Sequence, residues 1–164
     1  MGFFAPLIKV RKTFMLTFSV FSEEEMLSLG ARFILLCQPP CVIYLKGNLG
    51  AGKTTLVRGF LNGLGYQGVV KSPSYTLLEQ YEIGDKKIYH FDLYRLYSSE
   101  ELNFIGVRDC LNDDAIIFVE WPEKGNLFLP SANLECKIEF LEKGGRIVEL
   151  RGNKCSNEIN KSSL

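Results

Sequence analysis

From Leu16 the chain alternates, with Leu16, Phe18 and Val20 apolar against Thr17 and Ser19, which predicts a half-buried strand. Ser22 followed by Glu25 three residues on forms a capping box, and Met26, Leu29, Phe33 and Leu36 then recur at helical spacing until Gln38-Pro39-Pro40 stops the helix. Cys41-Val42-Ile43-Tyr44-Leu45 is a short, continuous apolar run, the pattern of a buried strand, and Thr55-Leu56-Val57-Arg58-Gly59-Phe60-Leu61 opens a second helix that ends at Gly65. Beyond Val69-Val70 and the turn-rich Lys71-Ser72-Pro73-Ser74, Tyr75 to Tyr81 and Lys87 to Phe91 read as strands joined through Glu82-Ile83-Gly84-Asp85. That connection is a hairpin, not a crossover, so the sheet is predicted to be mixed. Ser98 and Glu101 form another capping box, for a helix carrying Leu102, Ile105 and Val107. Ala115 to Val119 is again continuously apolar and delivers Glu120-Trp121-Pro122 at its tip. Leu134 to Phe140 and Arg146 to Arg151 alternate around Lys143-Gly144-Gly145, a last hairpin.

Gly47-Asn48-Leu49-Gly50-Ala51-Gly52-Lys53-Thr54, between the Cys41 strand and the second helix, fits G-x-x-x-x-G-K-[ST] without a mismatch, and strand–glycine loop–helix is the setting in which that pattern has physical meaning. Glycine tolerates backbone angles closed to other residues, so successive N–H groups can turn inward and, with the positive end of the helix, cradle a polyphosphate. Lys53 is placed to reach the β and γ phosphates of ATP, and Thr54 to offer its hydroxyl to Mg²⁺. A second glycine pattern, Gly63-Leu64-Gly65-Tyr66-Gln67-Gly68, mimics a dinucleotide fingerprint but closes a helix instead of opening one, and is rejected. The expected fold is α/β: a P-loop nucleotidase-like three-layer sandwich with a mixed central sheet. Residues 1–14 are expected to form an irregular extension, 15–151 a single P-loop ATPase domain and 152–164 a polar tail.

Length and composition narrow the function classes. A chain of 164 residues, 46% hydrophobic and 23% charged, is that of a soluble globular domain, long enough to bury roughly two-thirds of its unfolded surface. No run approaches the ~18 apolar residues of a membrane span. Nineteen basic and nineteen acidic residues cancel, which argues against strong autonomous nucleic-acid binding, since that affinity comes mainly from phosphate neutralisation. Any RNA is then held through a partner. The first fourteen residues lack the order of a signal peptide, and Met15 offers an alternative start. Five scattered cysteines, with Cys37 and Cys41 split by two prolines, read as reduced thiols in the cytoplasm and not as a zinc site.

An apolar strand ending in an acid commonly supplies the second magnesium contact of a phosphate-loop enzyme, because an open α/β sheet gathers its strand C-termini beside the loop. Glu120 is the first candidate, as metal contact or as the acid that orients the attacking water, and Asp92 has the same placement after Tyr89-His90-Phe91. The single tryptophan, Trp121, is read as a core residue ahead of a nucleotide or partner contact. The single histidine, His90, is read as a packed, hydrogen-bonded imidazole. Lys71 to Thr76 fits either a γ-phosphate-sensing switch or a plain turn, and Arg95 and Arg108 fit either phosphate neutralisation or surface pairing.

Taken together, Gly47 to Thr55 (GNLGAGKTT), Lys71 to Leu77 (KSPSYTL), Tyr89 to Leu96 (YHFDLYRL) and Val119 to Pro122 (VEWP) resemble the bacterial TsaE family, the ATPase of tRNA threonylcarbamoyladenosine synthesis, in order from about Leu16 to Arg151. The phosphate loop alone would point only to a superfamily; HFDLYR and EWP at these intervals make the likeness specific. The resemblance implies nucleotide binding along Gly47 to Thr55, phosphate and Mg²⁺ binding by Lys53 and Thr54, a second magnesium contact from Glu120, an acid needed for hydrolysis at Asp92 and a nucleoside contact near Glu23. It also implies partnership with TsaB and TsaD, which install the modification on adenosine 37 of tRNA, and an accessory role for the ATPase. Asn48 stands where the family usually has aspartate and Ser74 where it usually has threonine, and the first fourteen residues have no counterpart.

The runner-up is a small-molecule P-loop kinase, which calls for an acceptor pocket and an arginine-bearing lid, whereas the seven arginines here do not cluster in sequence. A GTPase would require N-K-x-D; Asn153-Lys154-Cys155-Ser156 lacks the aspartate.

Overall fold

The computed structural model describes residues 13–153. Seven strands form one sheet in the order β1-β7-β6-β2-β5-β4-β3, where β1 is Thr13–Val20, β2 Cys41–Gly47, β3 Leu78–Ile83, β4 Lys86–Asp92, β5 Ala115–Glu120, β6 Leu134–Phe140 and β7 Arg146–Asn153. The inner strands β6, β2, β5 and β4 run parallel, and antiparallel pairs close both edges, so the sheet is mixed as the hairpins predict.

Strand β5 is buried at all six positions because both faces of the sheet are covered. Ile116 and Phe118 face a core shared with helices α1 (Glu23–Arg32) and α2 (Lys53–Gly63). Ile117 and Val119 face a second core with the short helices α3 (Glu101–Phe104) and α4 (Val107–Asn112). This is the expected three-layer sandwich. The ring of Phe60 meets that of Phe118 edge-on at 4.9 Å, seating α2 on the strand that ends in Glu120.

The first capping box forms, with one shift. Ser22 Oγ accepts from the Glu25 N–H at 3.1 Å, while Glu25 reaches back to the N–H of Phe21, one residue before the cap, at 2.7 Å. At the end of α2, Tyr66 N–H bonds Leu61 O and Gly65 N–H bonds Asn62 O, with Gly65 left-handed; this helix-closing role is why its glycine pattern is no dinucleotide site.

Several boundaries differ from the sequence reading. β1 begins at Thr13 and β7 runs to Asn153, because Thr13 pairs with Asn153 and Phe14 with Gly152; this ladder incorporates two residues assigned to the extension and two assigned to the tail. The remainder of those two segments, residues 1–12 and 154–164, lies outside the described residues. The strand expected from Tyr75 starts at Leu78, since Leu77 is left-handed (φ 65°) and bonds back to Pro73 O in a turn. The helix expected from Ser98 is broken by Gly106 (φ 73°) into α3 and α4. Cys37, Cys41, Cys110 and Cys136 are buried and stand outside any disulfide. Among the described residues no helix is long and apolar enough to cross a membrane.

Helices α1 and α2 approach until their backbones touch. A Cβ on Gly30 would lie 2.1 Å from Leu56 O, and one on Gly59 2.1 Å from Leu27 O. Gly59→Ala should therefore force the helices apart and lower stability by about 1–3 kcal/mol, the range for overpacking a core. Urea denaturation checks this, and an unchanged midpoint would show that the contact is not a constraint.

Candidate active site

Strand β2 ends at Gly47 and α2 begins at Lys53, so the glycine loop is the whole of the connection. Gly47, Gly50 and Gly52 adopt φ of 152°, 75° and 108°, and a Cβ on Gly47 would sit 2.5 Å from Ile138 O of the neighbouring strand. Only glycine fits there. The first N–H groups of α2 have no partner within the helix and lie at the positive end of its dipole. Lys53 folds back across the loop, its Nζ donating to Gly47 O at 2.7 Å and Asn48 O at 3.0 Å, 4.5 Å from the centre of the Trp121 ring. Burial lowers its pKa, opposed by the nearby charges of Glu120, Asp92 and Glu123.

The two strand-tip acids stand side by side because β4 and β5 are parallel and in register, with Asp92 opposite Glu120. Each is only 3% exposed. Glu120 Oε1 accepts from the Thr54 hydroxyl at 2.8 Å and lies 3.0 Å from His90 Nε2. Asp92 Oδ2 accepts from the Ser72 hydroxyl at 2.6 Å and Oδ1 from the Tyr94 N–H at 3.0 Å. Backbone bonds fix the same strand ends: Leu93 N–H to Glu120 O and Asp92 N–H to Leu77 O, both 3.1 Å. Leu77 and Trp121 are the two non-glycine residues with positive φ among those described, and they flank the acids, so local strain is concentrated at this point.

Lys53, Thr54, Asp92, Glu120, Trp121 and Arg95 line one cleft of about 400 Å³. Two hollows of about 590 and 720 Å³ lie elsewhere, one over Phe14, Asn133 and Arg151 and one over Arg58, Asn62 and Lys71; neither is lined by any of the four buried polar side chains. The cleft is the chemically equipped site. Thr54 and Glu120 offer a hydroxyl and a carboxylate, hard oxygens that suit Mg²⁺, which typically takes one or two protein ligands and keeps its waters. Among the described residues no group of three or more His, Cys, Asp or Glu forms a denser metal site.

Of the residues singled out in the sequence, Lys53, Thr54, Thr55, Asp92 and Glu120 converge on this cleft with Leu49, Gly50 and Gly52; Ala51 is buried beneath the loop and Asn48 contributes its carbonyl to Lys53. Glu23 lies apart, bonded to Arg58 at 2.8 Å and lining an adjoining cavity of about 270 Å³ with Thr55, Gly50 and Arg146. Trp121 fits both readings weighed in the sequence: it packs on the second core with one part and lines the cleft with another. In the 71–76 segment Ser72 and Ser74 face the cleft, whereas Lys71 lines a different hollow. Arg95 reaches the cleft and stacks on Tyr75, 4.1 Å from its ring centre.

One residue escaped the sequence reading: Arg146 reaches Gly50 O at 3.3 Å from the far hairpin, and no local pattern announces a contact 96 residues away. His90 is the packed, hydrogen-bonded imidazole that the sequence suggests, and the structure adds its partner, Glu120; it sits two residues before Asp92 on a strand and so shares a face with it.

The model of the family described as "Threonylcarbamoyl adenosine biosynthesis protein TsaE" matches residues 20–148. A relative from Haemophilus influenzae named tRNA threonylcarbamoyladenosine biosynthesis protein TsaE is 51% identical over 130 residues, covering 76% of this chain and 82% of its own length. One of the same name from Borreliella burgdorferi is 33% identical over 132 residues, covering 80% of this chain and 96% of its own. Among solved structures, the crystal structure of Bacillus subtilis YdiB superposes with a TM-score of 0.73 at 26% identity, over 87% of this chain and 88% of that one. With the fold, the phosphate loop and the two strand-tip acids in place, these matches establish that the chain belongs to the TsaE family of tRNA threonylcarbamoyladenosine biosynthesis.

Proposed function

We propose that this chain is an accessory ATPase that binds and hydrolyses Mg-ATP in support of tRNA threonylcarbamoyladenosine formation at adenosine 37 by TsaB and TsaD, working in the cytoplasm. The observation that carries the reading is the bond from Thr54 at the start of the phosphate-loop helix to Glu120 at the tip of β5, beside Lys53. It joins an anion-binding helix end to an acid in a partly enclosed cleft. Lys53 neutralises phosphate charge at the loop, and Thr54 keeps its proton on Glu120 while its lone pairs remain available to a metal. Mg²⁺ bound there would offset the negative charge that accumulates on the transferring phosphoryl group. Asp92, level with Glu120 across the sheet, is the acid suited to orient the attacking water. Glu23 and its adjoining cavity are the place for the nucleoside.

The same geometry supports slow turnover by the isolated chain. Both oxygens of Asp92 are engaged, one by Ser72 and one by the Tyr94 N–H, so releasing Oδ2 for a water requires the segment around Ser72 to move. A partner that holds that segment in its moved position would remove the cost of populating the competent state. The tRNA is reached through TsaB and TsaD, in keeping with the zero net charge of this chain.

Calorimetry with Mg-ATP should show Lys53→Ala weakened about 10- to 100-fold, the worth of hydrogen bonds to a charged group; unchanged affinity would overturn the assignment of the loop. Asp92→Asn and Glu120→Gln should lower partner-stimulated phosphate release by about 100-fold or more, the usual contribution of a positioned acid or base. Wild-type rates in both would remove the acids from the reaction. Phosphate release should be slow for the chain alone and rise with the concentration of a TsaB–TsaD complex. Full turnover without partners would count against the accessory role, and transfer of the γ-phosphate to an added metabolite would favour a small-molecule kinase.

A further inference from the structure

His90 is fully buried, and its imidazole is the one ionisable ring that touches the acid pair. It lies on β4 opposite Phe118 of β5, two residues before the Asp92–Glu120 rung, so its side chain shares the face that α2 covers. Nε2 is 3.0 Å from Glu120 Oε1, the oxygen that also accepts the Thr54 proton. A carboxylate only accepts, so Nε2 must carry the proton. Nδ1 is buried with no hydrogen-bond partner. An unpaired Nδ1 lone pair is tolerable in such a place, whereas an Nδ1–H would be an orphaned buried donor, the rarer and costlier defect. Both observations select the neutral Nε2–H tautomer.

Two donors on one oxygen have a mechanical consequence. Thr54 donates to Glu120 from the phosphate-loop helix and His90 approaches from the interior of the sheet, so Oε1 is held from both sides and Oε2 takes no part in either contact. Thr54 alone could not do this, because its hydroxyl rotates and stands at the helix start that receives the phosphates. The ring of His90 is held on a central strand within the core, and it contributes a donor whose direction the packing sets. Glu123 and Asp92, the other acids near Lys53, have no such support from an imidazole.

We propose that His90 is a positioning residue: its Nε2–H holds the Glu120 carboxylate in the orientation that would present Oε2 to a magnesium ion in the cleft. This rests on the reading of the cleft as a Mg-nucleotide site, and the test keeps the two separable. The chain has one histidine, so its ring nitrogens give unambiguous signals in ¹⁵N NMR. In the nucleotide-free wild type, Nδ1 should be the unprotonated nitrogen and Nε2–H should exchange slowly with solvent. Glu120→Ala should shift the Nε2 resonance. A protonated Nδ1 with a bare Nε2, or a ring indifferent to Glu120→Ala, overturns the proposal whether or not the protein binds nucleotide.

The second arm compares nucleotide affinity with Mg²⁺ and with a chelator. His90→Gln retains an N–H donor the same number of bonds from Cα, and His90→Leu removes it. In His90→Leu the strengthening of binding by Mg²⁺ should shrink about 10-fold or more, as for other groups that orient a metal ligand, while metal-free affinity through the phosphate loop stays near wild type. His90→Gln should restore the Mg²⁺ increment. A folded His90→Leu with the wild-type increment sinks the positioning role; should that variant not fold, the increment in His90→Gln and the ring spectra of the wild type decide. Absence of any Mg-nucleotide binding by the wild type would instead defeat the functional reading, with the NMR arm still judging His90.

Discussion

The parallel pairing of β2 with β5 is the constraint on which the rest depends. It sets the end of β2, where the phosphate loop begins, beside the end of β5, where Glu120 sits, with Leu45 opposite Glu120 in the register. A shift by one residue would turn Glu120 to the other face of the sheet and replace it with an apolar neighbour. The cost would be severe, because every residue of β5 is buried and both of its faces are matched to helices. Hydrophobic packing along Ile116 to Val119 thereby dictates where an acid meets Thr54.

Packing on the α2 side serves the same end. The close approach at Gly30 and Gly59 allows α1 to brace α2 backbone to backbone, and Phe60 against Phe118 anchors α2 to β5. The helix that carries Lys53 and Thr54 at its start is thus held between a second helix and the central strand. Such a site needs its groups on rigid elements, since small displacements weaken charge-assisted contacts steeply. The elements that are not so held are the segment before β3, which supplies Ser72, and the turn after β5. Both carry the left-handed non-glycine residues, Leu77 and Trp121.

Four polar groups are buried in one place: Lys53, His90, Asp92 and Glu120. Charges out of water must be paired or bonded, and each is. Lys53 has two carbonyls and the Trp121 face, Glu120 has Thr54 and His90, and Asp92 has Ser72 and the Tyr94 amide. Lys53 and Arg95 are matched by Asp92 and Glu120 in the lining of the cleft, so it holds no surplus of positive charge before any ligand arrives. A polyphosphate would leave that balance strongly negative, which is the physical reason that a divalent cation belongs in the proposed reaction.

Much of this was legible in the sequence because it is local. Strand β5 is a five-residue apolar run ending in an acid, α1 shows helical periodicity behind a cap, the hairpin between β3 and β4 demands a mixed sheet, and Gly47 to Thr54 encodes a loop whose backbone angles only glycine allows. Other features were not legible, because they are properties of distance across the fold. The pairing of Thr13 with Asn153 joins polar termini that carry no strong strand signal, and the turn at Leu77 depends on Pro73 and Asp92 as partners. Ser72 on Asp92, Arg146 on the phosphate loop and Trp121 over Lys53 each join residues far apart in the chain. The sequence by itself determined which residue types stand at the strand tips and in the loop, since hydrophobic period and glycine angles act over neighbouring residues. Only the tertiary structure decided which of those tips face one another and which donor each buried oxygen receives, because strand register and helix packing are settled by the burial of the whole core.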